Sequence, residues 1–215
     1  MKRILLVDDH PIMRHGLAQL IQMEPGLEVC GQAGSAVDGL AAAQKLRPDV
    51  AVIDLTLPDK NGLELLKDIH ALLPSVKCIV LSMHDENLYA ERALKAGARG
   101  YIMKEAAAEN LINALQRVLG GGIYLSDVMA SRMLEQVTGQ RGKVGSSGVE
   151  QLTDRELEVL ELIGKGTPTK LIAERLSISA RTVEAHRSHI KEKLSLTDGP
   201  ALVRYAVHWV ESRAA

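Results

Sequence analysis

Four uninterrupted apolar runs in this chain each stop on a polar residue. Ile4-Leu5-Leu6-Val7 stops at Asp8-Asp9, and Val50-Ala51-Val52-Ile53 stops at Asp54. Cys78-Ile79-Val80-Leu81 stops at Ser82, and Gly100-Tyr101-Ile102-Met103 at Lys104. A short continuous apolar run suits a strand covered on both faces, as in a parallel sheet flanked by helices. Ligands of such sheets bind outside the carboxyl ends of the strands. Three carboxylates, a hydroxyl and an ammonium are therefore expected at one edge. That chemistry suits a divalent cation and a phosphoryl group.

Helical patterns alternate with the runs. Pro11 suits the first turn of a helix, where its missing N–H is not needed. Ile12, Met13, Leu17, Leu20 and Ile21 follow at helical spacing until Pro25-Gly26. A further strand is expected at about 27–33, and helices at about 36–47, 62–73, 86–97 and 107–119. Five βα repeats in succession predict a right-handed, doubly wound parallel sheet.

Gly120-Gly121-Gly122 punctuates the chain, and a short amphipathic stretch around 126–137 follows. Residues 138–148 have no apolar periodicity and read as a flexible linker. From Leu152 the pattern is helical only. Thr153 with Glu156 is a capping-box signal, followed by Leu157, Val159, Leu160, Leu162 and Ile163. A short second helix carries Leu171, Ile172, Ala173 and Leu176. Ser179 is a plausible N-cap for a third helix to about Leu194, and Asp198-Gly199-Pro200 opens a fourth. The expected architecture is a five-stranded α/β domain over 1–122, a connector with a short helix over 123–149 and a four-helix domain over 150–215.

Composition narrows the partners. Lys and Arg total 26 against 27 Asp and Glu, so any basic surface must be local. No apolar stretch reaches membrane-spanning length, and the start is too short for a signal peptide. Cys30 and Cys78 sit in apolar runs and read as core residues in a reducing cytoplasm.

Phosphoryl transfer to a carboxylate needs an ionised nucleophile, a cation for the transferring oxygens and an in-line leaving group. Magnesium takes few carboxylates and completes its shell with water, carbonyl and substrate oxygens. Asp9 and Asp54 are candidate direct ligands, Asp8 a ligand through water, and the Thr56 backbone carbonyl a further one. Lys104 can pair with a phosphoryl oxygen and Ser82 can donate to one. Each of these residues, taken singly, has a bland reading as a solvated charge, a turn hydroxyl or a helix cap. Their shared position after buried strands favours the joint reading.

Asp8-Asp9-His10-Pro11, Asp54 with Leu55-Thr56-Leu57-Pro58-Asp59-Lys60-Asn61-Gly62, Leu81-Ser82, and Ala96 to Tyr101 closing at Lys104 resemble a response-regulator receiver domain. The resemblance implies phosphorylation of Asp54 by a sensor histidine kinase. It also implies that Ser82 and Tyr101 carry the signal, the hydroxyl moving toward the phosphoryl group and the ring following inward. Glu105 stands after Lys104 where many receivers have Pro, which makes a cis bond less expected there.

Between 165 and 193, seven cations face three carboxylates, a local excess of positive charge that suits phosphate contacts. Leu152 to Glu156, Ile163 to Gly166, Ile172 to Leu176 and Thr182 to Arg187 resemble the LuxR-type helix-turn-helix. Joined to a receiver, this looks like a NarL/FixJ-type transcription factor. Within the expected recognition helix, Val183, Ile190 and Leu194 should be core and His186 partly buried. Glu184, Ala185 and Ser188 point outward as candidates for base edges, with Thr182 beside them. Arg187, Lys191 and Lys170 suit phosphates. Thr169 departs from the frequent Asn, and Thr197 to Pro200 departs at the entry to the last helix. That helix, with Leu202, Val203, Ala206 and Val207, resembles the family's dimer helix, although part of this strip can serve the domain's own core.

The expected function is a cytoplasmic, phosphorylation-activated transcription regulator that takes magnesium, binds double-stranded DNA as a homodimer and admits RNA polymerase as a further partner. It is not expected to act as an enzyme beyond its own phosphorylation and dephosphorylation. A phosphohydrolase with an aspartyl-phosphate intermediate is a competing reading, disfavoured because Thr56 stands where such enzymes hold an acid. A receiver that works without phosphorylation is a third, disfavoured because the acidic set is complete.

Overall fold

The computed structural model describes residues 1–137 and 148–214, which fall into two compact units divided between Arg141 and Gly142. The linker expected at 138–148 lies, apart from Gly148, outside the described residues.

The first unit is the expected alternation. Its elements are β1 (Lys2–Val7), α1 (Pro11–Met23), β2 (Leu27–Ala33), α2 (Ala36–Leu46), β3 (Val50–Asp54), α3 (Gly62–Leu72), β4 (Lys77–Ser82), α4 (Glu86–Lys95), β5 (Ala98–Met103) and α5 (Ala107–Leu119). All strand pairs are parallel, in the order β2-β1-β3-β4-β5. Ile4, Leu6, Val50, Val52, Ile79, Leu81 and Ile102 pack with Leu17 and Ile21 of α1 and Leu111, Leu115 and Val118 of α5. Leu5, Val7, Ala51, Ile53 and Val80 are also fully buried, on the opposite strand faces. Double-sided burial is why these strands, unlike the edge strand β2, carry unbroken apolar runs.

Some details differ from the sequence reading. Ile12, counted in the apolar stripe of α1, is 90% exposed, because the buried face of that helix is Leu17, Ala18 and Ile21. Cys30 is only half-buried on the edge strand β2, whereas Cys78 is buried and its thiol is pushed up to about 12 by that burial. Beyond β5, the Tyr124 backbone exchanges hydrogen bonds with Arg99 and Tyr101 and so covers part of the sheet edge. Helix α6 (Asp127–Val137) docks on α4: Ser126 donates to Glu86, and Arg132 donates to Asn87 at 2.6 Å.

The second unit contains α7 (Asp154–Gly164), α8 (Thr169–Arg175), α9 (Ala180–Lys193) and α10 (Gly199–Ala214). The capping box is formed, with Glu156 accepting from Thr153 N at 2.7 Å and Thr153 Oγ1 from Glu156 N at 3.3 Å. Glu156 also accepts from Lys193 at 2.6 Å, tying α7 to the end of α9. Leu157, Leu160, Ile172, Val183, Ile190, Leu202 and Ala206 form the core of this unit. Gly164 lets α7 cross α10, since a Cβ there would lie 2.4 Å from the Ala206 carbonyl. Leu171 is 46% exposed and not a core residue.

Candidate functional site

The strand order reverses at the β1/β3 pair, and in open α/β sheets the crevice at such a point binds ligands. β1 delivers Asp8 and Asp9 there, and β3 delivers Asp54. β4 and β5 bring Ser82 and Lys104 from one side. The loop after Asp54 is held from several directions. Thr56 N donates to Asp54 Oδ1 at 3.2 Å, and the Asp59 carboxylate accepts from Ala36 N and Val37 N at the start of α2. Asn61 caps α3 by accepting from Leu63 N at 2.7 Å. Gly62 is required because a Cβ would lie 2.0 Å from the Asp54 carbonyl oxygen.

Lys104 Nζ lies 2.7 Å from Asp54 Oδ2 and 2.8 Å from Asp8 Oδ2, and all three side chains are almost wholly buried. Burial pushes the Asp54 carboxyl above its ordinary value, with the Asp8 charge acting in the same direction against Lys104. Burial alone would lower Lys104, but the two carboxylates outweigh it and raise the ammonium.

Asp8, Asp9, His10 and Asp54 present ligand atoms within 4.8 Å of one another. Asp8 Oδ2 and Asp9 Oδ1 are hidden from solvent yet receive no aligned hydrogen bond, despite their proximity to Lys104 and His10. Buried carboxylate oxygens left in this condition are costly unless a further positive partner completes them. The donor set is all hard oxygen apart from His10, which fits a cation such as magnesium.

Ser82 is fully buried and its Oγ accepts from His84 N at 3.0 Å. Tyr101 is likewise fully buried, with its hydroxyl donating to the His84 carbonyl at 2.8 Å, so its ring lies inside the unit. His84 also places Nε2 3.2 Å from Thr56 Oγ1 and packs its ring on Tyr89 with centroids 4.7 Å apart. One residue therefore touches three positions expected from sequence. It was not singled out there, although its place two residues after Ser82, in a loop at the carboxyl edge, is a usable signal.

On the second unit, Ser179 caps α9 by accepting from Thr182 N at 3.0 Å, and the Ser179 and Thr182 hydroxyls are 2.7 Å apart. Thr182 is thus engaged in the cap. Glu184, Ala185 and Ser188 are exposed on one side of α9, and Lys170 is exposed on α8. Among the described residues, Lys170 and Lys191 have no carboxylate in ion-pair range. Arg187 does: its Nε is 3.6 Å from Glu184 Oε2. Glu156, His186 and His189 also converge, but Lys193 and Thr153 already hold the carboxylate, which reads as a structural tie. His186 is half-buried as expected, and burial together with Arg155 lowers its basicity.

Leu202 and Ala206, expected on a dimer strip, are fully buried in the unit's own core. Val203 is 41% exposed, and Val207 is half-buried. The two pairs lie on adjacent stripes of α10, and only the first faces inward. No helix among the described residues is long and apolar enough to cross a membrane.

Residues 4–116 match the response regulator receiver domain family, and residues 150–206 match the luxR family of bacterial regulatory proteins. The nitrate/nitrite response regulator protein NarL of Escherichia coli strain K12 is 37% identical over 193 residues, covering 90% of this chain and 89% of NarL. The oxygen regulatory protein NreC of Staphylococcus carnosus is 36% identical over 209 residues, covering 95% and 96%. RcsB from Salmonella enterica serovar Typhimurium, bound to promoter rprA in the presence of the phosphomimetic BeF3-, aligns with a TM-score of 0.64. Its identity is 26%, over 96% of this chain and 98% of that one. Sheet order, convergent carboxylates and helical C-terminal unit agree with both families, and the chain belongs to the response regulators that join a receiver domain to a LuxR-type DNA-binding domain and regulate transcription.

Proposed function

We propose that Asp54 is the phosphoacceptor of this regulator and that its phosphorylation increases DNA binding by the second unit. The observation carrying this reading is the Asp54–Lys104–Asp8 cluster at the sheet's reversal point, where Asp8, Asp9, His10 and Asp54 present ligand atoms within 4.8 Å of one another. An Asp54 carboxylate oxygen attacks the phosphorus of a phosphohistidine on a sensor kinase. The P–O bond forms as the P–N bond breaks, and the imidazole leaves with the electron pair. Later attack by water on phosphorus releases inorganic phosphate and restores the carboxylate.

Asp8, Asp9, Asp54 and the Thr56 carbonyl are the groups that would hold magnesium, which would supply positive charge to the transferring oxygens. Lys104 exchanges Asp54 Oδ2 for a phosphoryl oxygen, so transfer releases an ion pair that the free protein contains. Ser82 Oγ turns from His84 N to donate to the same group. Tyr101, bonded to the next carbonyl, is positioned to respond to that turn.

α9 enters the major groove, as the second helix of a helix-turn-helix does. Glu184, Ala185 and Ser188 meet base edges, and Lys170, Arg187 and Lys191 meet phosphates, with Thr182 at the helix start. Dimers on paired half-sites supply the specificity one unit lacks. Val203 and Val207 are their contact residues, and solved RcsB dimers bound to DNA support a dimeric arrangement. Phosphorylation shifts the population toward the DNA-binding state. These partners set the protein's place in the cytoplasm, with RNA polymerase a further partner.

Incubation with acetyl phosphate and magnesium tests the acceptor by intact mass. Wild type gains one phosphoryl group and Asp54→Asn gains none. Equal gain by the variant overturns the assignment.

A further inference from the structure

Glu184 does not stand alone on the exposed side of α9. Thr169 Oγ1, from the first turn of α8, donates to Glu184 Oε1 at 3.0 Å. Arg187 Nη1 donates to Thr169 Oγ1 at 3.4 Å, and Arg187 Nε lies 3.6 Å from Glu184 Oε2. The three side chains close a ring across two helices. Because Thr169 accepts from Arg187, its own hydroxyl proton is directed to the carboxylate.

The ring changes what Glu184 can read. A glutamate on a bare helix surface has three rotatable bonds and many orientations, whereas threonine is β-branched and stiff at χ1. The Thr169 hydroxyl is therefore a rigid peg against which a flexible carboxylate is set. Each carboxylate oxygen keeps lone-pair capacity after one bond, and the group remains an acceptor only. Its side chain is still 60% exposed, so that capacity faces outward.

We infer that Thr169 is a specificity-determining residue that positions Glu184 to accept a hydrogen bond from an exocyclic base amine in the major groove. Cytosine N4 is the fitting donor there, and adenine N6 is the other amine in that groove. Guanine and thymine present acceptors at the corresponding edge and meet the fixed carboxylate with repulsion. Arg187 is partly spent on the ring, so it supports the reading carboxylate as well as the nearby phosphate.

This inference rests on the proposed DNA-binding role of α9, and its test separates the two. The full chain, treated with acetyl phosphate and magnesium, selects duplexes from a randomised pool, and the enriched sequences are read. Wild type enriches an amine-bearing base at one position per half-site. Glu184→Ala loses that preference. Thr169→Val, which keeps shape and removes the hydroxyl, weakens it by about fivefold or more at that position alone, and Thr169→Ser retains it. Tryptophan fluorescence confirms that each variant is folded. Enrichment by wild type with an unchanged Thr169→Val pattern overturns the role of Thr169 while leaving DNA reading by α9 intact. Weakening spread evenly over all positions also overturns it, since that is a structural effect. Failure of wild type to enrich any duplex overturns both.

Discussion

Lys104 Nζ sits 2.7 Å from Asp54 Oδ2 and 2.8 Å from Asp8 Oδ2, so a single buried ammonium holds two buried carboxylates together. The separate elements β1, β3 and β5 are tied at their carboxyl ends by this contact. Removing one member of a buried ion pair leaves an uncompensated charge and costs several kcal/mol.

Lys104→Met is therefore expected to destabilise the receiver by about 3 kcal/mol in chemical denaturation at neutral pH. It should also slow labelling by acetyl phosphate, since burial and Asp8 then raise Asp54 against the Thr56 N–H without the help of the ammonium. A variant of wild-type stability contradicts this account of the cluster.

Acid should destabilise the DNA-binding unit through two groups acting in the same direction. Burial holds His186 below the ordinary imidazole value of 6.5, so stability from its neutral form is full above that pH and declines as pH falls. Burial alone would raise Glu156, but Lys193 and Thr153 outweigh it and hold the carboxyl below 4.5. Its contribution is present above 4.5 and is lost as pH falls through the lower, folded value. Trp209, the chain's one tryptophan, is buried on α10 and reports this unfolding in the full protein. The melting midpoint is expected to fall from pH 8 to pH 5, and His186→Gln should flatten the upper part of that decline. A midpoint that rises on acidification contradicts the assignment.

The two stripes of α10 should separate in mutation. Leu202→Ala is expected to cost about 2–5 kcal/mol of stability, as for other fully buried leucines. Val203→Asp should leave the melting midpoint nearly unchanged while weakening phosphorylation-dependent dimerisation in analytical ultracentrifugation. Unchanged dimerisation by Val203→Asp removes this face from the interface.

Lys170→Ala and Lys191→Ala should weaken binding to all duplexes alike and reduce the salt slope by about one each. Filter binding from low to moderate salt measures both. A changed base preference with an unchanged slope reassigns these residues to base edges.

Much of this was legible in sequence for a physical reason. A strand buried on both faces must be apolar throughout, so the first polar residue after it marks the carboxyl edge. Asp8, Asp54, Ser82 and Lys104 each stand at such a position. The same logic does not reach His84, which is not the first polar residue after its strand and meets Ser82 and Tyr101 through backbone atoms. Nor could it separate Leu202 from Val203, because both are apolar and only the packing of α7 against α10 decides which turns inward. The Thr169–Glu184–Arg187 ring joins two helices whose relative placement no periodicity encodes. The departure at Thr169 was visible, but its contacts were not.

A phosphoryl group on Asp54 should raise DNA affinity, and this is measured as the affinity of the full chain for a selected duplex with and without acetyl phosphate, in wild type and Asp54→Asn. Wild type should bind more tightly with the phosphodonor, and Asp54→Asn should bind equally with and without it. An equal gain in both proteins, or no gain in a wild type shown by mass to be phosphorylated, would mean that Asp54 does not control DNA binding.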